Sequence, residues 1–285
     1  IPGCDAAGIV DHVGSKVTHV KKGDPVFINP TIFCQTCEFC QRQDFYLCKY
    51  EQLIGRETAG SYAQFLAVPG TNVFPIPPGF DLKLAAAAPL VYQTAYAMVV
   101  SKAQLKKGQT VLVMGAGSGV GMAAIQIAKH LGATVITTAS TTDKCQKALH
   151  ILGADHVIQY SQEDLKSRIQ DITDKAGVDV IIDHVGGPQW QTLLQSLKNG
   201  GRLITCGATA GYKPEIDLRH VFFRQLQIMG STMASQNDMH AAMKLIFEGD
   251  MTPHIDKIFP LTEAAQAHQY IEDRKVFGKV LLEVS

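Results

Sequence analysis

Residues 111–131 read VLVMGAGSGVGMAAIQIAKHL. Val111 to Met114 is a short apolar strand, Gly115-Ala116-Gly117-Ser118-Gly119-Val120-Gly121 a glycine-rich turn, and the stretch from Val120 to Leu131 a helix. In such a turn the glycines permit a tight bend and let the backbone approach a pyrophosphate, whose charge then sits against the N–H groups of the helix N-terminus. The glycines fall at every second position, departing from a strict G-x-G-x-x-G, and Ser118 stands where a glycine often does. Alone the run is weak, because a flexible loop has the same letters; the strand before it and the helix after it make it a dinucleotide site.

The same rhythm continues on either side. A strand is expected at Thr134 to Thr138, a helix at Asp143 to Leu152, and further strands at His156 to Ile158, Val178 to Asp183 and Arg202 to Cys206. Strands alternating with helices at this spacing require crossovers, hence a parallel sheet covered on both faces, a doubly wound Rossmann domain. About twenty residues past the glycines, where an NAD site wants a carboxylate for the ribose 2′-hydroxyl, the chain has Ala139-Ser140-Thr141-Thr142-Asp143-Lys144. Ala139 is neutral, Ser140 and Thr141 can donate to a 2′-phosphate, and Lys144 can supply charge. Asp143 falls after the strand end, in the first helical turn, where the dipole favours acids. The site therefore suits NADP(H).

Upstream, Ala7 to Val13, Asp24 to Ile28 and Tyr62 to Val68 are short β-type runs broken by turn residues, as in a small barrel or sandwich. Between the last two stand Cys34, Cys37, Cys40 and Cys48. This C-x2-C-x2-C-x7-C spacing lets one short loop wrap four thiolates around a tetrahedral ion, and a closed Cys4 shell reads as one structural zinc. A bacterial-type iron–sulfur run would have a three-residue last gap followed by Pro, whereas here Lys49 follows a gap of seven. Disulfides and unrelated thiols are the alternatives; seven cysteines, an odd number, beside a nucleotide site fit a reducing compartment better. After Thr232, helical patterns at Met239 to Phe247 and Thr262 to Ile271 lead into a strand-like Gly278 to Val284.

Composition narrows the class. The chain has 285 residues, 46% apolar, enough for about two cores. Its 26 acids balance 26 bases, so nothing points to nucleic acid or an anionic membrane. No run has the ~18 apolar residues of a membrane span, and a cytoplasmic location is the default expectation. The opening Ile1-Pro2-Gly3-Cys4, without an initiator Met, reads as the start of a fragment.

Together the cysteine lobe and the glycine-rich turn resemble the medium-chain dehydrogenase/reductase family. The lobe resembles the structural-zinc lobe of its zinc-containing alcohol dehydrogenases; Gly115 to Gly121 with Ala139-Ser140 resembles its NADPH-using quinone reductase branch. The likeness extends to Gly3-Cys4-Asp5-Ala6-Ala7-Gly8, Lys22-Gly23-Asp24-Pro25-Val26, Gly60-Ser61-Tyr62-Ala63 and Gly278-Lys279-Val280-Leu281-Leu282. It implies a GroES-like, β-rich catalytic domain formed by both chain ends (1–92, with the zinc lobe at 34–48, and 236–285) around a Rossmann domain at 93–235. It also implies an NAD(P)-dependent oxidoreductase. By the same resemblance Thr94 lies beside the nicotinamide, Lys144 and Tyr160 near the 2′-phosphate, Cys206-Gly207-Ala208 and Gly230-Ser231 near the nicotinamide ring, and Lys279 close to the cofactor.

The departures bear on chemistry. The family's alcohol dehydrogenases hold a catalytic zinc with a Cys, a His in Gly-His-Glu, and a later Cys or Asp. Here Gly3-Cys4-Asp5 stands at the second position and Leu90 at the third, so a catalytic zinc is not expected. The expected reaction is hydride transfer from NADPH to a quinone or α,β-unsaturated carbonyl. A zinc-dependent alcohol dehydrogenase and a non-catalytic NADPH-binding sensor or structural protein are the alternatives. His184, at a strand end beside Asp183, reads as a loop histidine or cofactor neighbour; Tyr62 and Tyr92 are possible donors to a substrate oxygen, and no catalytic residue is assigned. Val221, Phe222, Phe223, Leu226, Ile228 and Met229 near the last Rossmann strand point to a homodimer or homotetramer.

Overall fold

The computed structural model describes residues 1–284, so the last residue of the expected C-terminal segment lies outside it. The chain divides into two compact units, one formed by residues 1–93 and 233–285 and the other by residues 94–232.

In the first unit β1 (Ala7–Ile9), β2 (Pro25–Ile28) and β5 (Val73–Pro75) form an antiparallel sheet in the order β1-β2-β5, while β3 (Thr31–Ile32) pairs with β4 (Gln52–Leu53). The short helix α1 (Glu38–Gln41) lies between β3 and β4, and α2 (Leu82–Ala87) follows β5, capped by the Asp81 carboxylate. Tyr62 to Val68, expected as a strand, forms none: the segment finds no ladder partner among the described residues, and Phe65 is 76% exposed. Aromatic packing joins the two ends of the chain. Phe27 stacks on Phe74 at 5.5 Å, and Phe247 meets Phe27 and Phe80 edge-on at 5.7 and 4.9 Å.

The second unit begins within α3 (Pro89–Tyr96) and contains β6 (Thr110–Val113), α4 (Gly119–His130), β7 (Thr134–Ala139), α5 (Thr142–His150), β8 (His156–Gln159), α6 (Leu165–Ile172), β9 (Val178–Asp183), α7 (Trp190–Ser196), β10 (Leu197–Thr205), α8 (Leu218–Phe223) and β11 (Gln227–Gly230). All ladders are parallel and the order is β8-β7-β6-β9-β10-β11. Numbered within the unit this is 3-2-1-4-5-6, the doubly wound order whose direction reverses between β6 and β9. The sheet is apolar on both faces because helices cover both. Leu112, Ile136, Ile158, Ile181 and Leu203 are buried, and α4 buries Met122, Ile125 and Ile127. β10 starts five residues before its expected first residue, Arg202, with a register shift between Leu197 and Arg202.

The chain then completes the first unit with α9 (Gln236–Phe247), β12 (Ile255–Pro260), α10 (Ala264–Glu272) and β13 (Lys279–Glu283). Ser235 and Asp238 close a capping box on α9. No helix among the described residues is long and apolar enough to cross a membrane.

Candidate dinucleotide and metal sites

In the second unit the carboxyl ends of β6 and β9 lie at the switch point of the sheet, where open α/β sheets hold their ligands. Leaving β6, the chain turns at Gly115 with φ +68°, a conformation suited to glycine. Thr138, near the end of β7, pins the turn, accepting from the Gly115 N–H at its hydroxyl (2.9 Å) and from the Ala116 N–H at its carbonyl (2.9 Å). Ser118 is the N-cap of α4, its Oγ accepting from the Gly121 N–H at 2.9 Å. A Cβ on Gly121 would lie 2.1 Å from the Gly115 carbonyl oxygen, so this glycine is what allows helix and turn to close. Gly117 lies in the turn, and Gly119 and Val120 open the helix. The expected phosphate loop is thus a strand-to-helix turn presenting first-turn N–H groups.

The residues expected to meet a 2′-phosphate stand at the ends of the neighbouring strands β7 and β8 and at the start of α5. Ala139 is the buried last residue of β7, Ser140 follows, and Thr141 caps α5. Thr141 Oγ1 accepts from the Lys144 N–H at 3.3 Å, which leaves its hydroxyl proton to donate. Asp143 lies in the first turn of α5 and pairs with Lys147 at 2.9 Å. Tyr160, 42% exposed, follows β8, and Ser161 Oγ donates to the Ser140 carbonyl at 2.8 Å, tying the two strand ends. Gly207 and Ala208 follow β10; a Cβ on Gly207 would meet the His184 carbonyl at 2.5 Å. Thr94 is buried in α3, and Ser231 is buried after β11. Cys206 is pushed up to about 11 by burial, with Asp183 adding to it, so its thiol is inert at neutral pH.

Lys279 lies in the first unit, and its ammonium is 3.0 Å from Asp5 Oδ2, with the two side chains 19% and 12% exposed. The other Asp5 oxygen accepts from the Leu90 N–H at 2.8 Å. Asp5, beside Cys4, is therefore engaged on both oxygens. Burial, then Asp5, raises the Cys4 thiol above its ordinary value. Tyr62 and Tyr92 also belong to this unit. Tyr62 Oη lies 3.2 Å from His268 Nε2, whereas Tyr92 is fully buried, which pushes its hydroxyl up. The sequence pattern had no signal for Asp5 linked to Lys279 or for Tyr62 linked to His268, since each joins residues more than two hundred positions apart.

The four-cysteine lobe, also in the first unit, converges as its spacing predicts. The four Sγ atoms lie within 4.8 Å of one another. Cys34 Sγ is 3.5 Å from Cys48 Sγ and 3.8 Å from Cys40 Sγ. Sulfurs bound at ~2.3 Å around a tetrahedral zinc stand about 3.8 Å apart, so the cage has the right size, and the sulfurs are too far apart for disulfides. The Cys37 N–H donates to Cys34 Sγ and the Cys34 N–H to Cys48 Sγ. Backbone bonds from Thr36 and then Cys37 bring the Cys34 thiol down to about 6, and those from Cys40 lower Cys37; desolvation pushes Cys40 up to about 12. Cys34 thus ionises readily, and Cys40, one of the two buried ligands, needs a cation beside it. Phe33 and Phe45, 5.2 Å apart, shield the lobe.

Residues 1–78 match the alcohol dehydrogenase GroES-like domain and residues 119–248 the zinc-binding dehydrogenase domain. A human quinone oxidoreductase is 30% identical over 288 residues, covering 99% of this chain and 79% of that protein. A crystal structure of an NAD-dependent alcohol dehydrogenase is 41% identical with a TM-score of 0.95, covering 100% of this chain and 83% of that one. A 2-octenoyl-CoA carboxylase reductase solved with NADP and 2-octenoyl-CoA is 27% identical with a TM-score of 0.89, covering 99% and 68%. With a doubly wound unit in 3-2-1-4-5-6 order, a GroES-like unit and a converging cysteine lobe, the chain belongs to the medium-chain dehydrogenase/reductase family of NAD(P)-dependent oxidoreductases.

Proposed function

We propose that the protein is an NADPH-dependent reductase of quinones or α,β-unsaturated carbonyl compounds, with one structural zinc at Cys34, Cys37, Cys40 and Cys48 and no catalytic metal. The observation that carries this reading is the state of Asp5. At the positions where the family's alcohol dehydrogenases place two metal ligands, this chain has Cys4 and Leu90, and the adjacent carboxylate is occupied by Lys279 and the Leu90 N–H. A lone thiol raised by burial is a poor start for an ion that needs three protein ligands. When bound, the nicotinamide supplies the hydride. The chain's own task is then to hold the diphosphate on the Gly115–Gly121 turn, to hold the 2′-phosphate with Ser140, Thr141 and Lys144, and to exclude water. A conjugated acceptor spreads the charge that develops on its oxygen, which lessens the need for a Lewis acid; a simple ketone lacks that relief.

The 41% identity to an NAD-dependent alcohol dehydrogenase favours a second reading, a metal-dependent alcohol dehydrogenase with an altered ligand set. One assay separates the two. With NADPH and a quinone or enone, turnover should persist after a chelator has stripped accessible metal, and simple alcohols with NADP should be poor substrates. Activity lost on chelation and restored by zinc, with the cysteine lobe still loaded, overturns the proposal. Binding of NADPH without turnover of any acceptor identifies a sensor or structural protein instead.

The proposed assembly is a two-fold homodimer, or a tetramer built on it. β11 is the edge of the parallel sheet, and beside it Phe222, Phe223 and Ile228 are 54%, 74% and 38% exposed. Leu226 is buried and Val221 packs against the unit's own core, so only part of the apolar run remains for a partner. An apolar edge with open backbone groups is an aggregation hazard, which pairing with a second copy removes. Light scattering at micromolar concentration should give at least twice the chain mass, and Ile228→Lys should shift it toward the monomer. A monomer mass for the unaltered chain rejects the dimer.

A further inference from the structure

His184 is the residue immediately after β9, across the switch point from the glycine turn that leaves β6. Its Nε2 lies 2.7 Å from Ser118 Oγ, the atom that caps α4. The same hydroxyl donates to the Gly115 carbonyl at 3.1 Å, which also accepts from the Ser118 N–H. Nε2 and Ser118 Oγ are thus joined by one short hydrogen bond, whose donor is set by the imidazole tautomer. Burial holds this histidine below its ordinary value, against a weaker upward pull from Asp183, so it is neutral at pH 7.

The ring is held from several sides. Asp183, fully buried, accepts from the N–H groups of Val185 and Gly186 and from Trp190 Nε1 at 2.8 Å, fixing the backbone on which His184 sits. Gly115 and Gly207 make room for it: a Cβ on the first would lie 3.2 Å from Nε2 and one on the second 2.5 Å from the His184 carbonyl. Yet Nδ1 is buried with no hydrogen-bond partner. A residue kept for stability alone would not leave a buried polar atom unmet, since an apolar side chain of similar size would avoid that cost. What the imidazole does provide is a hydrogen bond that holds the cap of α4 against the end of β9.

We propose that His184 is a positioning residue for the dinucleotide loop, acting through Ser118 to fix the turn and first helical N–H groups that receive the diphosphate. It rests on the reading that this loop binds the cofactor. The test measures NADPH dissociation constants and melting temperatures for the protein and for His184→Leu, His184→Asn and His184→Gln, each also with Ser118→Ala. Loss of one net hydrogen bond predicts that Leu and Asn weaken NADPH binding about three- to ten-fold. The Leu variant should melt no lower than the parent. Gln, whose terminal amide reaches the position of Nε2 and can donate or accept there, should restore affinity to within about two-fold, and in the Ser118→Ala background the His184 substitutions should add nothing. Affinity unchanged in His184→Leu, or the full loss persisting without the Ser118 hydroxyl, overturns the role of His184 while leaving the cofactor site intact. Failure of the unaltered protein to bind NADPH or NADH overturns both.

Discussion

Ala139→Asp is expected to reverse the dinucleotide preference from NADPH to NADH. Ala139 is the buried last residue of β7, two positions before the cap of α5, where a carboxylate would accept from a ribose 2′-hydroxyl and repel a 2′-phosphate. In the unaltered protein Ser140 and Thr141 follow that position and Lys144 lies in the first turn of α5, the donors and charge proposed to meet a 2′-phosphate. Removing one charge-assisted hydrogen bond to the phosphate costs on the order of 1.5–3 kcal/mol, about ten-fold to over a hundred-fold in affinity. Lys144→Ala should lower NADPH affinity by one such step and leave NADH nearly unchanged. Parallel fluorescence titrations with both dinucleotides check this; tighter NADH binding by the unaltered chain would refute the NADPH assignment. The 41% identity to a protein described as NAD-dependent makes this the most informative titration.

Elemental analysis of protein purified without chelator is expected to return one zinc per chain, and a Ser at Cys34, Cys37, Cys40 or Cys48 to abolish it. The sulfur cage is already zinc-sized, with Cys34 within 3.8 Å of Cys40 and 3.5 Å of Cys48, and it keeps no position open for substrate. Because the ligands must be thiolates, metal uptake releases protons and stabilises the lobe. The buried Cys40, pushed up to about 12 without a cation, is the thiol whose ionisation depends most on the metal. Removing zinc should therefore loosen residues 34–48, read as faster proteolysis there, while NADPH binding in the second unit persists. No zinc, or two per chain, contradicts the assignment. Two per chain would also reopen the question of a second metal at Cys4.

The doubly wound unit and the converging four-cysteine lobe were legible in the amino-acid sequence because both are written in local spacing. A cysteine loop closes within fifteen residues, and a strand, a glycine turn and a helix occupy twenty-one consecutive positions, so nearby residues dictate the geometry. The neutral end of β7 was legible for the same reason. Only the tertiary structure decided what depends on residues far apart in the chain. The order of strands sets β6 beside β9 and so brings Ser118 to His184, 66 positions away. The pairing of Asp5 with Lys279 spans 274 positions and occupies a carboxylate next to Cys4, which stands where the family's alcohol dehydrogenases have a metal ligand. Burial, not composition, separated Leu226 from the exposed Phe222 and Phe223, and the lack of a ladder partner among the described residues kept Tyr62 to Val68 from being a strand. Periodicity specifies which face of an element is apolar; which element that face meets is set by the packing of the whole unit.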